Sequence, residues 1–214
     1  MRYMKTLSVA VGVVLGLAGM SKANSVINLT PVAFPNFATA ADFGQTFTVP
    51  AGNNTVLSSF AFYAMGSGGN ISFDAELYQI DPLTSKIAGP MLYESSVRVA
   101  LNNLTRQTFT FATGEIPLVS GDAYFAVMHQ MGYGNVGNLQ VSSSSDPYSG
   151  GYGVWLSSNS NRYASGGASW SSSPLVSELG FNAVFVTPLP ASFYGGLVML
   201  GVAAAVSMKL RRTV

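Results

Sequence analysis

The chain has 214 residues, 48% of them hydrophobic, with no cysteine, one histidine and a formal net charge of +1. Disulfides and thiolate metal sites are thereby excluded, and a single histidine leaves no ordinary transition-metal ligand set. All nine acidic residues lie between Asp42 and Glu178, where only Lys86, Arg98, Arg106 and Arg162 accompany them, so residues 24–187 carry about −5 and lack the basic patch that a nucleic-acid partner requires.

The chain opens with Arg2 and Lys5, then an apolar run from Thr6 to Met20, then Ser21 and Ala23 at small-x-small spacing. This order reads as a secretory signal peptide over residues 1–23, cut after Ala23. The body that follows, residues 24–187, is long enough to bury a core without staples and is expected to be one domain.

Within the body, "ISFDAELYQI" alternates. Ile71, Phe73, Ala75 and Leu77 point one way, and Ser72, Asp74, Glu76 and Tyr78 the other, which predicts a strand with one buried and one wet face. "QTFTV" (Gln45 to Val49), "SFAFYA" (Ser59 to Ala64) and "QTFTFA" (Gln107 to Ala112) behave alike, with Phe47, Phe60, Phe62, Phe109 and Phe111 as core anchors. "AYFAVMHQ" and "GFNAVFV" are apolar on both faces, as strands central to a two-layer stack are. Turn formers separate these runs: Pro50 to Asn53, Gly66 to Gly69, Asp81-Pro82, Gly114, and Ser120 to Asp122. No stretch between the termini keeps a 3.6-residue period for three turns. The expectation is an all-β, antiparallel, jelly-roll-like sandwich.

From Gly132 to Pro174 the sequence is rich in Ser, Gly, Asn and Tyr. Long hairpin loops, with strands near Gly153 to Ser157 and Ala168 to Ser171, are one reading. A sugar-stacking surface built from Tyr148, Tyr152, Trp155, Tyr163 and Trp170 is the other, because aromatic faces beside small polar groups suit sugar rings and protein partners alike. Trp155 is expected to be the more buried tryptophan and Trp170 the better placed for contact.

No catalytic constellation stands out. His129 shares parity with Phe125 and Val127 and reads as a satisfied or half-exposed strand residue rather than a base or ligand. Phosphate loops, nucleophile elbows and His-based triads are missing from the sequence. Asp74 and Glu76 share a face and, with Asp42 or Asp122, offer the two carboxyls that glycoside hydrolysis needs, but as i, i+2 acids on a wet face they read as solvated. A calcium ion held by loop oxygens near Asp42, Asp81 or Asp146 is an alternative without a diagnostic loop pattern. The expectation is therefore no enzyme, no cofactor and no metal. Sequons at Asn28, Asn53, Asn70 and Asn103 are common by chance in so Ser/Asn/Thr-rich a chain.

The C-terminal segment, residues 188–214, has three parts. Pro188 and Pro190 keep the approach extended, Phe193 to Met208 runs 16 residues without a charge, and Lys209, Arg211 and Arg212 cap it. As a helix the run spans roughly 24 Å, close to a bilayer core, with the basic end held on the cytoplasmic side. Those terminal cations argue against a glycosylphosphatidylinositol signal.

This tripartite tail resembles the PEP-CTERM class of bacterial sorting signals, in the variant whose motif reads V-P-L-P-A. Here the motif is Thr187-Pro188-Leu189-Pro190-Ala191-Ser192, with Thr where Val is usual. The resemblance implies an exosortase-type processing enzyme as partner, transient residence in the inner membrane, and sorting to the envelope, outer surface or matrix of a Gram-negative, polysaccharide-producing bacterium. More loosely, "GQTFTVP", "LSSFAFYA", "ISFDAELYQI", "LYES" and "ELGFNAVF" are similar to the small β-sandwich proteins that often precede such tails. That likeness implies a fold akin to carbohydrate-binding modules and transfers no binding residue. Two function classes follow. The first is a non-enzymatic surface or matrix protein associated with exopolysaccharide or biofilm, and the second is a carbohydrate-binding module for extracellular polysaccharide.

Overall fold

The computed structural model describes residues 24–33, 42–81, 86–103, 105–130, 132–145, 148–156, 171–172 and 178–188. The expected signal peptide, the tail from Leu189 onward, Tyr163, Trp170 and the side chain of Trp155 lie outside the described residues.

The described elements are strands. They are β1 (Asn24–Leu29), β2 (Pro31–Ala33), β3 (Asp42–Thr48), β4 (Val56–Ser67), β5 (Ile71–Asp81), β6 (Lys86–Glu94), β7 (Arg98–Ala100) and β8 (Gln107–Pro117). There follow β9 (Ala123–His129), β10 (Asn138–Val141), β11 (Ser143–Ser144), β12 (Gly153–Leu156), β13 (Ser171–Ser172), β14 (Glu178–Leu179) and β15 (Phe181–Val186). The runs predicted from alternation lie in β3, β4, β5 and β8, and the two runs apolar on both faces lie in β9 and β15. Gly153 to Leu156 forms β12, while Ser157 and Ala168 to Trp170 lie outside the described residues.

The ladders are antiparallel and make two main sheets. The first runs β1-β15-β4, with β8 on the far edge of β4 and β10 following β15 along the near edge. The second runs β13-β12-β3-β9-β5-β6, with β7 pairing the start of β5. A short β14-β11-β2 ladder extends the first sheet's neighbourhood.

Period-two side-chain alternation sends one set of residues from each sheet inward, as a sandwich requires. Phe43 and Phe47 of β3, Phe60 and Phe62 of β4, Phe73 of β5, Phe111 of β8, and Phe181 and Phe185 of β15 are fully buried there. Their rings interlock across the layers, Phe47 lying 5.6 Å from Phe181 and Phe73 meeting Phe109 edge-on at 4.9 Å, while Phe62 packs 5.1 Å from Phe181 within the first sheet. Each such burial contributes about 1.5–3 kcal/mol, which is how a domain without disulfides holds together.

Two local expectations are corrected. Gly114 is not a turn between strands. It sits inside β8, where Gly114 (φ 72°) and Glu115 (φ 66°) form a bulge that shifts the register between Leu57–Ile116 and Ser59–Ala112. The face of β5 bearing Asp74, Glu76 and Tyr78 is not wet, because all three are buried. The second sheet's outer face carries its own apolar cluster of Tyr78, Ile80, Phe125, Val127 and Val154, so β5 and β9 are covered on both sides.

The ends of the body lie together. Asn24, the first residue after the expected signal cut, is the cross-strand partner of Val186, one residue before the tail motif. Beyond Val186 the Thr187 hydroxyl donates to Asn54 Oδ1 (2.6 Å), and Pro188 is exposed.

Candidate functional site

The buried outer face of the second sheet gathers the chain's histidine and several acids, contributed by adjacent strands. Asp42 opens β3, His129 closes β9, and Asp74 and Glu76 lie mid-β5. Register sets Asp74 opposite His129 and Glu76 opposite Glu94 of β6. Exposure is 2% for Asp42, 1% for Asp74, 0% for Glu76 and 6% for His129, whereas Glu94 is exposed. Charged groups are rarely buried so completely without partners.

Asp42 is the best-defined member. Its Oδ2 lies 2.7 Å from His129 Nδ1, and its Oδ1 accepts the Gln130 backbone N–H at 2.8 Å. Burial pushes the His129 imidazole down, but the Asp42 hydrogen bond and the negative charges of Asp42, Glu76 and Asp74 outweigh it, leaving the pKa above the ordinary 6.5. A carboxylate can only accept, so in this contact the proton is on Nδ1, which donates to Asp42 Oδ2. Glu76 Oε2 accepts the Tyr78 hydroxyl at 2.8 Å. Asp74, Glu76 and Glu94 each offer a carboxylate oxygen, the three lying within 4.8 Å of one another. Chemically, such a trio supplies hard oxygen ligands of the kind that Ca²⁺ or Mg²⁺ takes. The His129–Asp42 pair has the orientation of a buried, carboxylate-held imidazole.

Sequence reasoning singled out most of these residues separately and assigned them to solvent or to strand packing. His129, the last residue of β9, is satisfied by Asp42 at the start of β3. Asp122 stands apart near the opposite end of the strands, where its Oδ2 accepts from Gln79 Nε2 (3.0 Å), and Asp81 pairs in register with Lys86. Asp146 lies outside the described residues.

Glu178 is a fourth buried carboxyl among the described residues, and nothing in the sequence marked it. Gln45 Nε2 donates to Glu178 Oε2 (2.6 Å) while Gln45 Oε1 accepts the Leu179 N–H (2.8 Å), so one amide side chain ties β14 to β3. Burial raises the Glu178 pKa from 4.5 to about 7, the Gln45 hydrogen bond opposing it.

Of the stacking candidates, Tyr148 and Tyr152 can be placed. Tyr148 is half-buried against the core, and its hydroxyl accepts the Thr48 N–H (3.2 Å) and donates to the Thr48 carbonyl (3.3 Å). Gly150 lies so close that a Cβ there would meet the Tyr148 ring at 2.6–3.0 Å. Tyr152 packs on the outer apolar cluster, and its backbone is bonded to Thr46. Trp155 lies on β12 opposite Phe43 of β3. Tyr148 also lines a cleft of about 520 Å³ between Ser25 to Leu29 of β1, Thr48 to Ala51, and Ser149 and Gly150. Among the described residues, no charged side chain lines it.

No protein family's sequence profile matches the chain, and no curated protein matches it. In fold it is similar to the crystal structure of the cysteine protease and lectin-like domains of Cwp84, a surface layer associated protein of Clostridium difficile, with a TM-score of 0.44 and 11% sequence identity. The likeness covers 69% of this chain and 32% of the other, so this chain spans about a third of that protein's length.

Proposed function

We propose that the protein is an exported, non-enzymatic, jelly-roll-like sandwich of the bacterial surface or extracellular matrix, delivered by its PEP-CTERM-like tail and associated with exopolysaccharide. The observation carrying this reading is the order of the tail: a proline motif from Thr187 to Ser192, an uncharged run to Met208, and the cap Lys209, Arg211 and Arg212. It is supported by where the fold ends. The last described strand stops at Val186, one residue before the motif, and Pro188 within the motif is exposed. Intact-mass measurement of the surface form tests it. The mature chain should begin near Asn24 and end near Ala191, and retention of Lys209 to Val214 would indicate a plain membrane anchor instead.

A carbohydrate-binding role is the second reading, favoured by the uncharged cleft beside Tyr148, whose volume lies in the range of small-ligand sites. Polysaccharide pull-down with the parent and with Trp155→Ala and Trp170→Ala tests it. Loss of retention at an unchanged melting temperature supports a stacking surface, and no retention by the parent removes it.

A further inference from the structure

The first sheet ends on β1, and the outer edge of β1 pairs with no strand among the described residues. That edge borders the cleft, since five consecutive residues from Ser25 to Leu29 line it. An open edge is a template for another strand, and proteins usually blunt such edges.

Three other outer strands are blunted. β8 carries the bulge with left-handed Gly114 and Glu115, β6 carries Pro90 with Lys86 and Glu94, and β13 has two residues. β1 reads Asn-Ser-Val-Ile-Asn-Leu, without charge or proline. Its Val26 is 52% exposed, while Ile27 and Leu29 face the core.

We propose that β1 pairs with β1 of a second copy of this chain, antiparallel about a twofold axis, fusing the two first sheets into one. An edge that pairs with itself is self-complementary by construction, as an isologous interface must be. Setting Ile27 opposite its counterpart puts Ser25 opposite Leu29 and Val26 opposite Asn28. Every inward residue then stays inward, because the partners match in parity. The partner strand closes the open side of the cleft, and on the outer face Val26 gains Asn28 of the second copy as its cross-strand neighbour. Although each body carries about −5, neither edge brings a charge into the seam.

Sedimentation equilibrium and hydrogen exchange on the full chain in neutral detergent test this, comparing the parent with Val26→Lys/Asn28→Lys. Both positions are exposed, and the double change sets four ammonium groups around the seam. The expected result is a parent dimer weakened at least about tenfold by the double change at the same melting temperature. The amides of Ser25 to Leu29 in the parent should also gain protection as concentration rises. A parent that stays monomeric, a dimer unaffected by the two lysines and so held by the apolar termini, or β1 protection appearing only with added polysaccharide would each overturn it. Should the variant fail to fold, the concentration dependence of β1 exchange in the parent decides alone.

Discussion

Replacing Glu178 with Gln should flatten the dependence of stability on pH. Glu178 is 4% exposed, and burial raises its pKa from 4.5 to about 7. Its hydrogen-bond donor is the neutral Gln45 amide, which offsets little of the cost of a buried negative charge. Between pH 4.5 and 7 the folded state holds a proton that the unfolded chain has released. The stability from this group is therefore fully present below about pH 4.5 and is lost as pH rises through 7. The shift corresponds to up to about 3 kcal/mol, of which about 2 kcal/mol falls between pH 5.5 and pH 8. Glutamine keeps the size and an acceptor for Gln45 Nε2 but cannot ionise. At pH 8 the E178Q protein should be the more stable by about 2–3 kcal/mol, and at pH 5 the two should agree within about 1 kcal/mol. Urea unfolding at a series of pH values reads this directly. Parallel curves for parent and variant from pH 5 to 8 would refute the reasoning, since they would mean that Glu178 is already ionised in the fold.

Other outcomes follow from the packing and the acid cluster. Asp42→Asn should lower the pKa of His129 by removing its nearest negative charge, which NMR titration of the chain's single imidazole resolves; an unchanged value would place the raising charge elsewhere. Phe73→Ala removes a fully buried ring and should cost about 3–5 kcal/mol, and a loss below 1 kcal/mol in urea unfolding would contradict its place in the core. Gly44→Ala would set a methyl 2.2 Å from the Phe125 ring and 2.5 Å from the Ala126 carbonyl, so β3 and β9 must part; a cost of about 3 kcal/mol or more is expected, and a neutral change would mean that the strands are not so close.

Much of the sandwich could be read from alternation, because in β5 the residues Ile71, Phe73, Ala75 and Leu77 all meet the same core and nothing else competes for them. The opposite face misled for a physical reason. Period two says which residues share a face and not whether that face meets water, and Asp74 and Glu76 were read as solvated for their charge alone. What lies beside them is distant in sequence, His129 opposite Asp74 and Val127 opposite Glu76, which no local window contains. The Asp42–His129 contact joins residues 87 apart and was equally invisible, although the parity of His129 with Phe125 and Val127 pointed to that face. Glu178 gave no signal, since its partner Gln45 lies 133 residues earlier. β1 carries no clear signal because "NSVINL" is short and does not alternate, Val26 and Ile27 standing side by side, and it is a strand because β15 lies beside it.

The pairing of Asn24 with Val186 has a kinetic consequence. β15 lies between β1 and β4, so the first sheet has a gap until the last described strand is in place. A ribosome or a translocation channel delivers a chain from its N-terminus, and β1 must therefore wait for nearly the whole body to follow before its ladder can form. Closing so long a loop costs on the order of 4–5 kcal/mol of chain entropy, and such non-local pairing is slow. During that wait the phenylalanines of β4, which β15 covers, remain open to other chains. The step that ends the wait is the emergence of Val186, and the residues next in line are those of the Thr187 to Ser192 motif. Completion of the sheet and arrival of the tail are thus one event in time.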